Sequence, residues 1–133
     1  MSDNPPERMF VVPATPAEQL EADVTKLCDL LADYLEARDG RRPTSTTMRW
    51  TRDMRLLLQR GPTGVERHPE EAAVVEAVIR ATFECETWWS ETISDPGFLR
   101  KHYLRIGRAA GEASRKHQKS AAVGDMMERL KAL

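Results

Sequence analysis

Leu20, Val24, Leu27, Leu31 and Tyr34 recur at spacings of 4, 3, 4 and 3. Successive helix residues turn by about 100°, so these five make one apolar stripe on a long helix. A start signal precedes them: Thr15 can cap, Pro16 takes the first helical position, and Glu18 can close a capping box. Asp39-Gly40 ends the helix, because glycine accepts a left-handed C-terminal conformation. After "RRPTSTT", Thr46 or Thr47 can cap a second helix carrying Trp50, Met54, Leu57 and Leu58, and Gly61-Pro62-Thr63-Gly64 stops it. Pro69-Glu70-Glu71 opens a third, with Val74, Val75, Val78, Ile79 and Phe83 facing inward. A short fourth helix is expected over Cys85 to Ile93. Asp95-Pro96 then caps a fifth, with Leu99, Tyr103 and Ile106 on its apolar side.

No segment alternates with a period of two, so the pattern predicts an all-α fold, a small orthogonal or bundled domain of about five helices. Residues 1–14 carry Pro5, Pro6 and Pro13 without periodicity and read as an arm; residues 15–111 form the helical domain. Gly107 and Gly111 weaken the end of the fifth helix by about 1 kcal/mol each relative to alanine. Residues 112–124 read as a polar linker. Residues 125–133 read as a short amphipathic segment with Met126, Met127, Leu130 and Leu133 on one face, too short to be stable alone.

Composition adds little until charge is followed along the chain. The 133 residues are 41% hydrophobic and 31% charged, enough for one domain with a real core. No apolar run is long enough to span a membrane, and the N-terminus has no signal-peptide pattern. Cys28 and Cys85 are too far apart for a CxxC pair and fit free thiols in a reducing cytoplasm. The net charge of −1 conceals segregation. Residues 17–39 hold seven acids and two bases; residues 40–60 hold six arginines and one aspartate. Residues 65–95 hold eight acids and two arginines; residues 98–119 hold seven bases and one glutamate. Such blocks can pair within a bundle or leave a basic face for nucleic acid.

Catalytic and metal signatures are missing, so no enzyme activity and no cofactor are expected. The chain has neither a phosphate-binding P-loop nor a dinucleotide-binding glycine turn. His68, His102 and His117 are too scattered to form a metal set with the cysteines. His102, among bases, reads as a surface or phosphate-facing residue.

The stretch "CETWWSETISDPGFLRKHY" raises a geometric problem, since adjacent tryptophans cannot both sit at the centre of one stripe. Trp89 lies one turn from Cys85 and Ile93 and continues the apolar line. Trp88 has Glu84 and Glu91 as helix neighbours and falls at the edge, either packed on another helix or exposed as a contact surface. An exposed ring there would stack on a base or anchor a protein, and the glutamates favour protein.

The residues Trp88, Trp89, Ile93, Pro96, Leu99, Arg100 and Tyr103 form a pattern that resembles the C-terminal domain of phage and prophage replication proteins of the replisome-organiser or helicase-loader type. In that family the segment usually reads Phe-Trp, Asn-Ile, Ser-Pro and Leu-Arg-x-x-Phe; Trp88, Thr92, Asp95 and Tyr103 are the departures here. Upstream, "CDLLADYLEARDGRRPTSTTMRW" is similar to the segment before the family's second helix, including Arg42-Pro43, the threonines and Trp50. "RLLLQRGPTGVERHPEEAAVVEAVIRAT" is similar to its arginine-leucine helix, turn and following helix. The turn is longer here than the family's Asp-Gly-Arg, and the family's tryptophan is replaced near Ala81. The resemblance covers residues 24 to 110.

The resemblance implies contacts with single-stranded DNA, with a replicative helicase, or with both. Relatives usually carry an N-terminal winged-helix domain that binds origin DNA. Only an unpatterned arm precedes the first helix here, so origin recognition is not carried over. The candidate DNA ligands are Arg100, Lys101, Arg105 and Arg108, extended by Arg49, Arg52 and Arg55; the bland alternative is a solvated face paired with the acidic segments. An exposed salt bridge contributes only about 0–1 kcal/mol, a weak reason for such a cluster. The candidate partner-binding residues are Trp88, Met126, Met127 and Leu130. A competing reading is an adaptor or inhibitor of host replication proteins that binds no DNA. The first helix's stripe would also suit a homo-oligomer.

Overall fold

A computed structural model describes residues 15–64 and 68–132, with side chains to residue 118. Every regular element in it is helical: α1 (Pro16–Asp39), α2 (Met48–Arg60), α3 (Ala72–Glu84), a single 3₁₀ turn (Trp88–Glu91), α4 (Pro96–Lys101) and α5 (Tyr103–Ala132).

The local signals place the first boundaries. Thr15 accepts from the Glu18 N–H and the Glu18 carboxylate accepts from the Thr15 N–H, both at 3.1 Å, which closes the capping box. Gly40, at φ 77°, turns left-handed and returns its N–H to the Glu36 carbonyl. Thr47, rather than Thr46, caps α2 by accepting from the Trp50 N–H at 3.2 Å. Asp95 caps α4 by accepting from the Phe98 N–H at 2.8 Å.

The core is built from one stripe of each long helix. Val24, Leu27, Cys28, Leu31 and Leu35 of α1 meet Trp50, Met54, Leu57 and Leu58 of α2, Val75 and Ile79 of α3, and Ile93, Leu99, Tyr103 and Ile106. Truncating one of the fully enclosed leucines to alanine costs about 2–5 kcal/mol. Leu20, Tyr34, Val78 and Phe83 pack on the margin of the core, and Tyr34 stacks on Phe83 with centroids 4.8 Å apart. Val74, expected inward, is 45% exposed, because α3 starts three residues later than its Pro69 signal and buries the Val75–Ile79 line instead.

Three expectations give way to the backbone. The short helix over Cys85 to Ile93 is only a 3₁₀ turn. Both the backbone N–H and the hydroxyl of Thr87 donate to the Thr82 carbonyl at 3.1 Å, and Glu86 sits at φ 52°, which ends α3. The fifth helix divides at His102, the C-terminal cap of α4, and α5 begins at Tyr103. The polar linker over 112–124 is instead the middle of α5, which is helical to Ala132 and runs through Gly107 and Gly111. Ala110 is buried. Helix α5 packs chiefly on α3, while α2 packs on α1 and α4.

Candidate functional site

The two basic segments meet different fates. In the first, Arg42 reaches three acids of α1: Asp33, Glu36 at 3.4 Å and Asp29 at 3.7 Å. Arg55 makes a two-point contact with Glu21, with both nitrogens 2.7 Å from its oxygens, which holds the Glu21 carboxyl below its usual range. Ser45 donates to Asp29 at 2.6 Å and ties the connecting loop to the same helix. Arg49 and Arg52 are exposed and lie near Asp95 (3.7 Å) and Asp53 (3.4 Å). The charge between Gly40 and Arg60 is therefore largely opposed within the fold.

The second segment is not. Lys101, Arg105 and Arg108 are exposed, and none has an ion-pair partner among the described residues. Arg115 and Lys116, inside the stretch read as a linker, share that condition. At about 100° per residue, Arg105, Arg108, Glu112, Arg115 and Lys116 occupy an arc of about 100° on α5, spanning about 16 Å. Tyr103, Ile106 and Ala110, buried residues of this helix among those described, lie on the opposite side. The basic arc is thus the solvent face of a helix whose other face is held by the core. The spacing that continues Arg105 and Arg108 to Arg115 is visible in the sequence once the helix is known to continue.

Arg100 faces elsewhere. Half-buried, it donates from Nε to the Gly61 carbonyl at 3.0 Å, while its own carbonyl accepts from the Thr63 N–H at 3.3 Å. The structure therefore separates it from Lys101 and Arg105, which share a small pocket with Pro62, Thr63, His102 and Leu104.

The tryptophans divide as their spacing predicts. Trp89 packs on the core margin, edge-on to Phe98 (6.1 Å) and tilted against His102 (5.4 Å). His102 also lies 4.6 Å from Phe98, half-buried, so it serves packing more than the surface role expected of it. Trp88 is 67% exposed and stands edge-on to Trp89 at 4.8 Å. Arg38, which the sequence did not single out, holds this platform from α1: its Nη1 donates to the Ser90 and Ile93 carbonyls at 3.0 and 2.7 Å. Leu104, 58% exposed, lines the pocket shared by Lys101 and Arg105. Met126, Met127 and Leu130 fall in the last turns of α5, and their side chains lie outside the described residues.

The arrangement offers a row of cations without ion-pair partners among the described residues, an exposed aromatic ring, and a cleft between α5 and the turn at Cys85–Thr87. Among the described residues no group of histidine, cysteine and carboxylate side chains is placed to hold a metal ion, and no helix is long and apolar enough to cross a membrane. Comparison with protein-family models, with curated proteins and with solved structures gives no match.

Proposed function

We propose that this chain is a non-enzymatic DNA-replication accessory domain of the phage replisome-organiser or helicase-loader type, binding DNA through the basic face of α5. One observation carries the DNA half: four of the six arginines of residues 40–60, Arg42, Arg49, Arg52 and Arg55, lie against acids of the fold, whereas Lys101, Arg105, Arg108, Arg115 and Lys116 face solvent without ion-pair partners among the described residues. Phosphate neutralisation is what such a row does best, and it gives affinity that falls steeply with salt. The replication assignment rests on the Trp-Ile-Pro-Leu-Arg pattern. A titration of single-stranded DNA at two salt concentrations tests the proposal. Binding should weaken with a log–log slope of about −0.7 per phosphate contacted, and Arg105→Glu with Arg108→Glu should reduce affinity at least about tenfold, or 1.4 kcal/mol. Absence of binding at low salt, or a double variant that binds like the parent, overturns it.

The exposure of Trp88 supports a second reading, a protein-interaction module for a replicative helicase or another replication protein. Loss of partner capture on Trp88→Ala, with DNA binding retained, would favour it.

A further inference from the structure

Beside the basic face of α5 lies a cleft of about 740 Å³, within the range of small-molecule sites. One wall is the turn between α3 and the 3₁₀ segment, and the other is α5. Ala109 and Ala113 line the α5 side and leave room for a flat ring. Arg115 and Lys116 edge the cleft on the same helix and continue the row from Arg105 and Arg108. The remaining polar lining consists of acceptors. Glu86 and Glu112 present carboxylates, and the Thr87 hydroxyl proton is already given to the Thr82 carbonyl at 3.1 Å, leaving its lone pairs. Glu86 stands at the turn with a left-handed backbone, φ 52°.

We infer that this cleft receives one unpaired nucleotide of a single strand, an inference that rests on the DNA-binding reading above. The strand's phosphates follow the cations of α5. One base turns into the cleft between the small alanines and the turn. The lining carries donors, Arg115 and Lys116, as well as acceptors, Glu86, Glu112 and Thr87, so the edge of either a pyrimidine or a purine finds a partner there. A duplex cannot present a base in this way without unpairing it.

The test compares oligonucleotides of equal length bound to the full chain at low salt: oligo-dC, oligo-dT, an abasic strand with the same phosphates, and the free monophosphate of deoxycytidine. Oligo-dC and oligo-dT should each bind at least about fivefold tighter than the abasic strand, in keeping with base–protein contact. Ala113→Met, which fills the cleft, should bring oligo-dC down to the abasic level and leave abasic binding unchanged. Equal binding of oligo-dC and the abasic strand to the parent overturns the cleft assignment while the phosphate reading stands, and this comparison needs no variant to fold. A free monophosphate that binds as tightly as oligo-dC overturns the assignment to a strand. If no strand binds, the DNA-binding reading itself fails.

Discussion

Arg100 closes the corner between α2 and α4 by donating from Nε to the carbonyl of Gly61 at 3.0 Å. Gly61 is buried and ends α2 at φ 94°, a conformation that favours glycine, and its N–H is shared between the Leu56 and Leu57 carbonyls. Arg100→Ala leaves that carbonyl without its charged donor and should destabilise the fold by about 1–3 kcal/mol, measured by denaturant unfolding. Affinity for DNA at a temperature where the variant is folded should change less than for Arg105→Ala. A stability unchanged from the parent would remove the structural role.

Arg38 should matter for the tryptophan platform. It spans from the end of α1 to the Ser90 and Ile93 carbonyls, and Arg38→Ala frees both. The expected loss is about 1–2 kcal/mol, accompanied by a red shift of tryptophan emission as Trp89 gains solvent. An unshifted spectrum would mean that Phe98 and His102 alone hold the ring.

Gly97 and Asp53 should show coupled behaviour. A Cβ at Gly97 would stand 2.7 Å from Asp53 Oδ2 and 3.2 Å from Asp95 Oδ1. Gly97→Ala alone is therefore expected to be destabilising despite the gain in helix propensity. In an Asp53→Ala background the same change should approach the gain of about 1 kcal/mol that alanine gives over glycine. A double-mutant cycle with a coupling energy near zero would refute the close approach.

The two thiols should differ in reactivity and in their contribution to alkaline stability. Burial, with the Asp29 carboxylate nearby, pushes the Cys28 thiol up to about 12 from its ordinary value of 9.0. Cys85 is half-buried at the cleft. A thiol reagent at mildly alkaline pH should modify Cys85 first and reach Cys28 only on unfolding. In the unfolded chain Cys28 loses its proton from about pH 9, while the folded chain keeps it to about 12. The unfolded state then binds fewer protons, and stability falls as pH rises through that window. Tyr34, raised to about 12 by burial and its bond to Glu84, adds in the same direction. A flat stability profile from pH 9 upward would contradict both assignments.

What the sequence revealed, and what it did not, follows from how local each determinant is. Thr15-Pro16-Ala17-Glu18, Gly40 and Asp95-Pro96 act within one helical turn, and each performs the expected job. The stripes carrying Leu27, Met54 and Ile79 were legible because burial repeats with the helical period. The 3₁₀ turn was not, because it depends on the contacts of Thr87 with Thr82 and on the hold of Arg38 from a helix 52 residues earlier in the chain. Polar residues 112–118 were legible as solvent-facing but not as helix, since their packing against α3 is tertiary. The charge blocks predicted opposition between segments. Only the structure shows that α1 opposes the first basic block, and that Arg100, alike in sequence to Lys101, belongs to the interior seam.

The unbroken course of α5 from Tyr103 to Ala132 makes it a shaft about 45 Å long. A shaft conserves rotational phase. Whatever azimuth Arg105 and Arg108 present beside the core fixes, turn by turn, the azimuth at which the far end meets its surroundings. Inserting one residue after Gln118 would swing that end by about 100° while leaving the anchored half untouched; inserting seven would nearly restore it, one step further out. Position along such an axis thereby fixes angle as well as distance.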